Sequence, residues 1–181
     1  MTSQSGNERQ ICTFRIADEH YGVDILQIKE IHTENRFTPV HHAPSSVRGY
    51  VNIRGQIHLI VDLRVLLGHS PLGNLEGSRI LLFKPEVGEA FGVLVDAIGD
   101  VCPAPEKHLE AVDNQPGRSL SSDSLLRLLS TGILKNEREL VTLLSASSIY
   151  RYLSGLFNES GSDSVFSSSA TSGKQTDFIP Y

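Results

Sequence analysis

The 181-residue chain carries sixteen Lys and Arg against twenty-one Asp and Glu, a net charge of −5, with 39% hydrophobic and 20% charged residues. That balance predicts one packed domain, or two small subdomains sharing a core, and it lacks the basic footprint of a nucleic-acid binder or of a protein docking on anionic membranes. The polar start "MTSQSGNERQ" shows no secretory pattern, no apolar run approaches the ~18 residues of a membrane span, and Cys12 and Cys102 match no metal or redox spacing, so a cytoplasmic protein is expected.

Residues 1–10 read as a loose tail. In "ICTFRI", Cys12, Phe14 and Ile16 recur at a period of two and predict a half-buried strand, with Ile11 the one apolar residue outside that alternation. "ADEHYG" supplies a hairpin turn and "YGVDI" the returning strand, whereas "LQIKEIH" fits a helical turn or a strand equally. "FTPVHHAPSS", with Pro39 and Pro44, is a loop. Two strands, Arg48–Ile53 and Gln56–Val61, flank a tight turn at Arg54-Gly55, and Asp62 is placed to cap a short helical turn ending at Gly68.

After the loop "HSPLGNLEGS", the segments "RILLF" and "AFGVLVDAIGDV" form a strand pair joined by "KPEVGE". The stretch from Cys102 to Ser124 has little pattern. "LLRLLSTGIL" and "LVTLL" around "KNERE" suggest a last hairpin, and "SASSIYRYLSGLF" a short C-terminal helix with a serine cap. From Ser154 onward, Ser, Gly and acidic residues dominate and cannot bury enough apolar area to offset their ordering entropy. The closing "TDFIPY" reads as a frayed terminus or a docking peptide. Many short strands without alternating long helices favour small barrels, and "LIVDLRVLLG" and "ELVTLLSASSIYRYL" echo one another as strand, polar cap and helical turn, which hints at two related halves.

Catalytic chemistry is hard to find. "GYVNIRG" lacks the spacing, the lysine and the following helix of a phosphate loop. Among seven histidines the adjacent His41-His42 point to opposite faces of an extended chain, and no HxxxH, HxxE or CxxC pattern gathers metal ligands. Cys102, His108 and Asp100 are close in sequence, yet no oxyanion hole or nucleophile elbow is marked, and a small buried thiol is the simpler reading. Asp62 and Asp96 both end apolar runs and read as caps for backbone amides rather than as paired catalytic carboxylates. No catalytic residue, metal ligand or cofactor site is expected.

"FRIADEHYGVDILQIKEI", "VRGYVNIRGQIHLIVDLRVLLG" and "GVLVDAIGDV", in this order, closely resemble the CheW family over residues 11–153. The resemblance implies a mainly β fold of two SH3-like five-stranded β-barrels sharing a hydrophobic core, a 1–10 tail and a 154–181 tail. It implies a non-enzymatic adaptor of bacterial chemotaxis, with the regulatory domain of the histidine kinase CheA and the cytoplasmic tip of chemoreceptors as partners. Such an adaptor is cytoplasmic, recruited to membrane receptor arrays by protein contacts, and takes no small-molecule substrate. Carried over position by position, Ile28, Glu30, Gly49 and Arg54 fall on partner-binding positions of the family. An adaptor of a parallel pathway for pilus or surface motility is the alternative, and a small metal-dependent sensor or Cys/His enzyme is the alternative of another class. The chain departs from the family pattern at His41, where proline is common, and at Leu59, where proline commonly precedes "IVDLR".

Overall fold

A computed structural model describes residues 9–34, 36–111, 122–135 and 139–159. Two mixed β-sheets form the framework of the fold. The first comprises β3 (Ile28–His32), β4 (Val47–Ile53), β5 (Gln56–Asp62), β6 (Arg79–Phe83) and β7 (Phe91–Val95), in the spatial order β3-β6-β7-β5-β4. The second comprises β1 (Arg9–Ile16), β2 (Glu19–Asp24), β8 (Ala97–Ala104), β9 (Leu109–Glu110), β10 (Ser130–Lys135) and β11 (Leu140–Leu144), in the order β8-β1-β2-β11-β10-β9. Three helices accompany them: α1 (Leu63–Leu66), α2 (Ser122–Leu129) and α3 (Ala146–Glu159).

The two sheets share one plan. Each runs antiparallel across its first three strands, turns parallel at one junction (β7 with β5, β2 with β11), and ends antiparallel. Even the two-residue β9 has its counterpart, the isolated bridge from Thr38 to Tyr50 beyond β4. The echo between "LIVDLRVLLG" and "ELVTLLSASSIYRYL" is therefore structural. In both, a parallel-paired strand enters a helix through a capped end: Val65 N–H donates to Asp62 Oδ1 at 3.2 Å, and Ser148 N–H to Ser145 Oγ at 3.1 Å. The fold is mainly β, two SH3-like barrels on a common core, with the second sheet six-stranded when β9 is included.

Three apolar clusters explain why strands form where they do. The largest joins both sheets: Phe14, Ile16 and Tyr21 of the second meet Val61, Leu81, Phe91 and Val93 of the first, closed by Ile149 and Leu153 of α3. The opposite faces fill the barrels. Ile60, Ile80, Leu82 and Leu94 fill the first, and Ile11, Leu134, Val141 and Leu143 the second. A strand between two cores is buried on both faces, so β7 is apolar throughout rather than alternating. Ile11 is buried for the same reason: it points into its own barrel while Cys12 and Phe14 point to the shared core.

Two expectations are corrected. "AFGVLVDAIGDV" is not one strand. It breaks at Asp96, and β7 stays in the first sheet while β8 pairs with β1 in the second. The hop is held by side chains remote in sequence, since Asp96 Oδ2 accepts from Ala17 N–H at 2.7 Å and pairs with Arg64 Nη1. The last hairpin also begins later than expected, because "LLRLL" lies in α2 and only "STGILK" is strand. Here the apolar side chains fit a helix packing one face on the shared core, with Leu125 and Leu126 against it and Leu128 exposed. The expected "KNERE" turn falls largely outside the described residues. The C-terminal helix runs on past residue 154 to Glu159, with Leu156 and Phe157 against the shared core, and "TDFIPY" lies outside the described residues.

Candidate functional site

The β4–β5 hairpin turns on two residues, Arg54 and Gly55, both with positive φ (52° and 85°). That is the two-residue turn whose twist matches antiparallel strands, and glycine takes it freely while arginine at φ > 0 is strained by about 1–2 kcal/mol. Asn52 offsets some of the strain, its Oδ1 accepting from Gly55 N–H at 2.9 Å. The Arg54 side chain stands 79% exposed at the tip.

Arg54 is not bare. Its Nη1 lies 3.2 Å from Glu30 Oε2, and His32 Nε2 lies 3.0 Å from the same oxygen. Near this pair on the hairpin, Lys29 Nζ donates to Gln56 Oε1 at 2.8 Å. β3 and the β4–β5 pair sit toward opposite ends of the sheet order, so these contacts close the barrel end where the sheet curls round. His32 first, then Arg54 and Lys29, holds the Glu30 carboxyl below the usual carboxylate range. An ion pair this exposed is screened by water and contributes little to folding. On the flanking strands Ile31 and Ile57 leave much of their apolar surface in water. A positioned guanidinium, a carboxylate and exposed aliphatic side chains are the ingredients of a protein-docking edge, and they offer no reaction chemistry.

The other two expected site residues lie apart from the pair. Ile28 starts β3, two residues before Glu30, and packs some of its side chain on the shared core. Gly49 is buried in β4, five residues or about 16 Å along the strand from Arg54. Its φ of +136° and its approach to the Thr38 bridge leave no room for a side chain: a Cβ there would stand 2.4 Å from the Thr38 carbonyl oxygen.

His58 was invisible to sequence reasoning. It is 1% exposed, and neither ring nitrogen has a hydrogen-bond partner among the described residues. Burial, then the nearby Lys29 ammonium, pushes its pKa down, so the ring is neutral at neutral pH. It lines a cleft of about 300 Å³ together with Lys29, Gln56, Phe83, Pro85 and Glu89. The strand "QIHLIVD" hid it, since alternation alone does not say whether Ile57 or His58 faces inward where both faces of β5 are otherwise buried.

The weaker candidates do not assemble. Burial and the Asp100 charge push the Cys102 thiol up, away from the reactive thiolate, and His108 is exposed beyond the end of β8. His41 and His42 sit exposed in the loop before β4. Among the described residues no group of three His, Cys, Asp or Glu is placed to hold a metal ion. Asp62 caps α1 and Asp96 holds the strand hop, which is backbone work for both.

The family model for the CheW-like domain matches residues 10–153. The chain belongs to the CheW family. It is 28% identical to the probable chemotaxis protein CheW of Rhizobium etli over 90% of this chain and 96% of that one, and 28% identical to chemotaxis protein CheW of Rhizobium meliloti over 78% and 87%. Among solved structures it resembles the scaffolding protein TtCheW of Thermoanaerobacter tengcongensis, with a TM-score of 0.64 and 25% identity over 76% of this chain and 88% of that one. The chain is thus a CheW-type scaffold of chemotaxis, and among the described residues no helix is long and apolar enough to cross a membrane.

Proposed function

We propose that this chain couples chemoreceptors to a CheA-type histidine kinase, acting without catalysis as the piece that fixes their relative geometry. Its working surface is the edge made by Arg54 and Glu30, with the exposed Ile31 and Ile57 on the same strands and Ile28 behind it at the start of β3, partly on the shared core. Gly49 contributes indirectly, by letting the Thr38 segment lie against β4 so that the hairpin keeps its path. The observation that carries the reading is Arg54 itself: an arginine kept in a strained turn, largely exposed, aimed by Glu30, and worth little to the fold. Strain maintained without a folding return fits a residue selected for what it binds.

Coupling of this kind needs two modest interfaces rather than one tight one. Each is of roughly micromolar strength, and a receptor array at the membrane raises the effective concentration of every component. The kinase regulatory domain and the receptor's cytoplasmic helical tip are the partners the family likeness supports, recruited from the cytoplasm through protein contacts. A pull-down from lysate with the wild type and with Arg54→Ala, both first matched by circular dichroism, tests this. Recovery of a histidine kinase and a receptor by the wild type, with at least one lost by the variant, is the expected result. Recovery of neither by the wild type contradicts the coupling role.

A further inference from the structure

The buried His58 shares its cleft with Lys29 and Gln56, next to the Glu30–Arg54 pair on the same strands. The ring is on β5, two residues beyond Gln56, and Lys29–Gln56 and Glu30–Arg54 are the two contacts that hold the hairpin tip on β3. At the wall of that cleft, buried and with no partner for either nitrogen among the described residues, the ring fits the folded edge best when neutral.

We propose that His58 makes the docking edge acid-sensitive, so that proton uptake at this ring lifts the β4–β5 tip from β3 and weakens partner binding. The inference rests on the docking role of the Arg54 edge, and its structural half stands without it.

The groups around the ring decide the direction. From β3 come Lys29, Glu30 and His32, and from the β6–β7 loop Glu89, while β6 contributes the apolar Phe83; the hairpin tip's Arg54 reaches this group through Glu30. One fixed cation, Lys29, and a second histidine thus stand near the ring. Glu30 favours a charged ring, but its carboxylate is already engaged by Arg54 and His32, and its pull is outweighed by burial and Lys29. Glu89 is exposed and remains in water. A proton arriving from solvent on either ring nitrogen therefore creates a poorly solvated imidazolium near the Lys29 ammonium. The least disruptive relief is to break the Lys29–Gln56 and Glu30–Arg54 contacts, since these exposed interactions hold the tip with little energy, and let the ring reach water. Glu30 stays ionised through this range, because its pKa is held below the ordinary carboxylate value, so loss of its charge cannot account for the opening.

The sign follows from linkage. A ring charged in the open state near its ordinary pKa of about 6.5, and neutral in the closed one, favours opening as pH falls below that value. Between about pH 7 and about pH 5.5 the open fraction rises by at most about eightfold, the limit for a closed ring that stays neutral throughout. The test uses the full chain and follows the His58 ring by NMR while amide hydrogen exchange, corrected for intrinsic rates, reads the 54–58 tip. A ring titrating clearly below the ordinary value, with tip exchange rising several-fold, up to about eightfold, in the wild type and flat in His58→Leu, is the expected outcome. A ring titrating at its ordinary value overturns the proposal and needs no variant, so a misfolded His58→Leu does not rescue it. An equal rise in His58→Leu, or its disappearance in His32→Gln instead, also overturns it. Binding of the kinase regulatory domain at the two pH values then separates the two ideas. An acid-opened tip with no binding at either pH removes the docking role, whereas pH-independent binding with a closed tip removes the gate.

Discussion

The two barrels follow one strand order but are threaded differently. The first is a single continuous stretch from Ile28 to Val95, whereas the second is assembled around it from β1–β2 and, much later, β8–β11. The chain crosses between them after Asp24 and again at Asp96, and both crossings are marked by an aspartate that accepts backbone N–H bonds: Leu26 N–H at 2.9 Å for Asp24 and Ala17 N–H at 2.7 Å for Asp96. The first barrel's β4–β5 turn bears the exposed Arg54, while the matching β10–β11 turn lies mostly outside the described residues. The repeated plan and the shared core make one body. The Arg54 tip paired with Glu30, on the first barrel, is the proposed recognition element.

Breaking the shared core is expected to have the largest effect. Phe14 is fully buried between the sheets, and Phe14→Ala should destabilise the chain by about 3–5 kcal/mol. Because the cluster belongs to both barrels, urea unfolding should remain one transition. Two separate transitions would mean that the barrels stand alone.

Gly49→Ala is next, at about 1–3 kcal/mol, from a Cβ forced on the Thr38 carbonyl and from the positive φ. It should loosen the Thr38–Tyr50 bridge first, which amide exchange at Tyr50 would read. Asp96→Ala comes third. It leaves Arg64 and the Ala17 N–H without the acceptor that fixes the strand hop, for a loss of about 1–3 kcal/mol. A loss within error of zero would move the cause of the hop to the apolar residues on either side.

Smallest in stability is Arg54→Ala, expected within about 0.5 kcal/mol of the wild type, because alanine keeps the Cβ and its turn strain and only an exposed ion pair is lost. The reversed pair, Arg54→Glu with Glu30→Arg, sharpens the reading. It keeps an internal ion pair but inverts the outward charge, so the fold should survive by circular dichroism and partner binding should not return. Restored binding would mean that Arg54 matters only through Glu30.

Where local chemistry decides, the sequence was readable. Arg54-Gly55 between two apolar strands, the caps at Asp62 and Ser145, and the period of two in "ICTFRI" each carry their signal within a few residues. The proposed docking pair was only half legible, since Arg54 and Glu30 lie far apart in sequence and meet because the sheet curls. Three features were hidden by longer-range causes. The strand hop at Asp96 is decided by Arg64 and Ala17, neither of them near it in sequence. The helix in "LLRLL" is selected by a core built from both barrels. His58 is buried because β3 folds over the end of β5, which alternation cannot foresee.

The most direct test of the central claim is a calorimetric titration of the purified kinase regulatory domain into the wild type and into Arg54→Ala, with urea stability measured on the same samples. Recognition placed on a tip that the fold does not need predicts a loss of affinity of at least about tenfold, or about 1.4 kcal/mol, at unchanged stability. Equal affinity for both proteins, or a loss of affinity matched by a loss of stability, would contradict it.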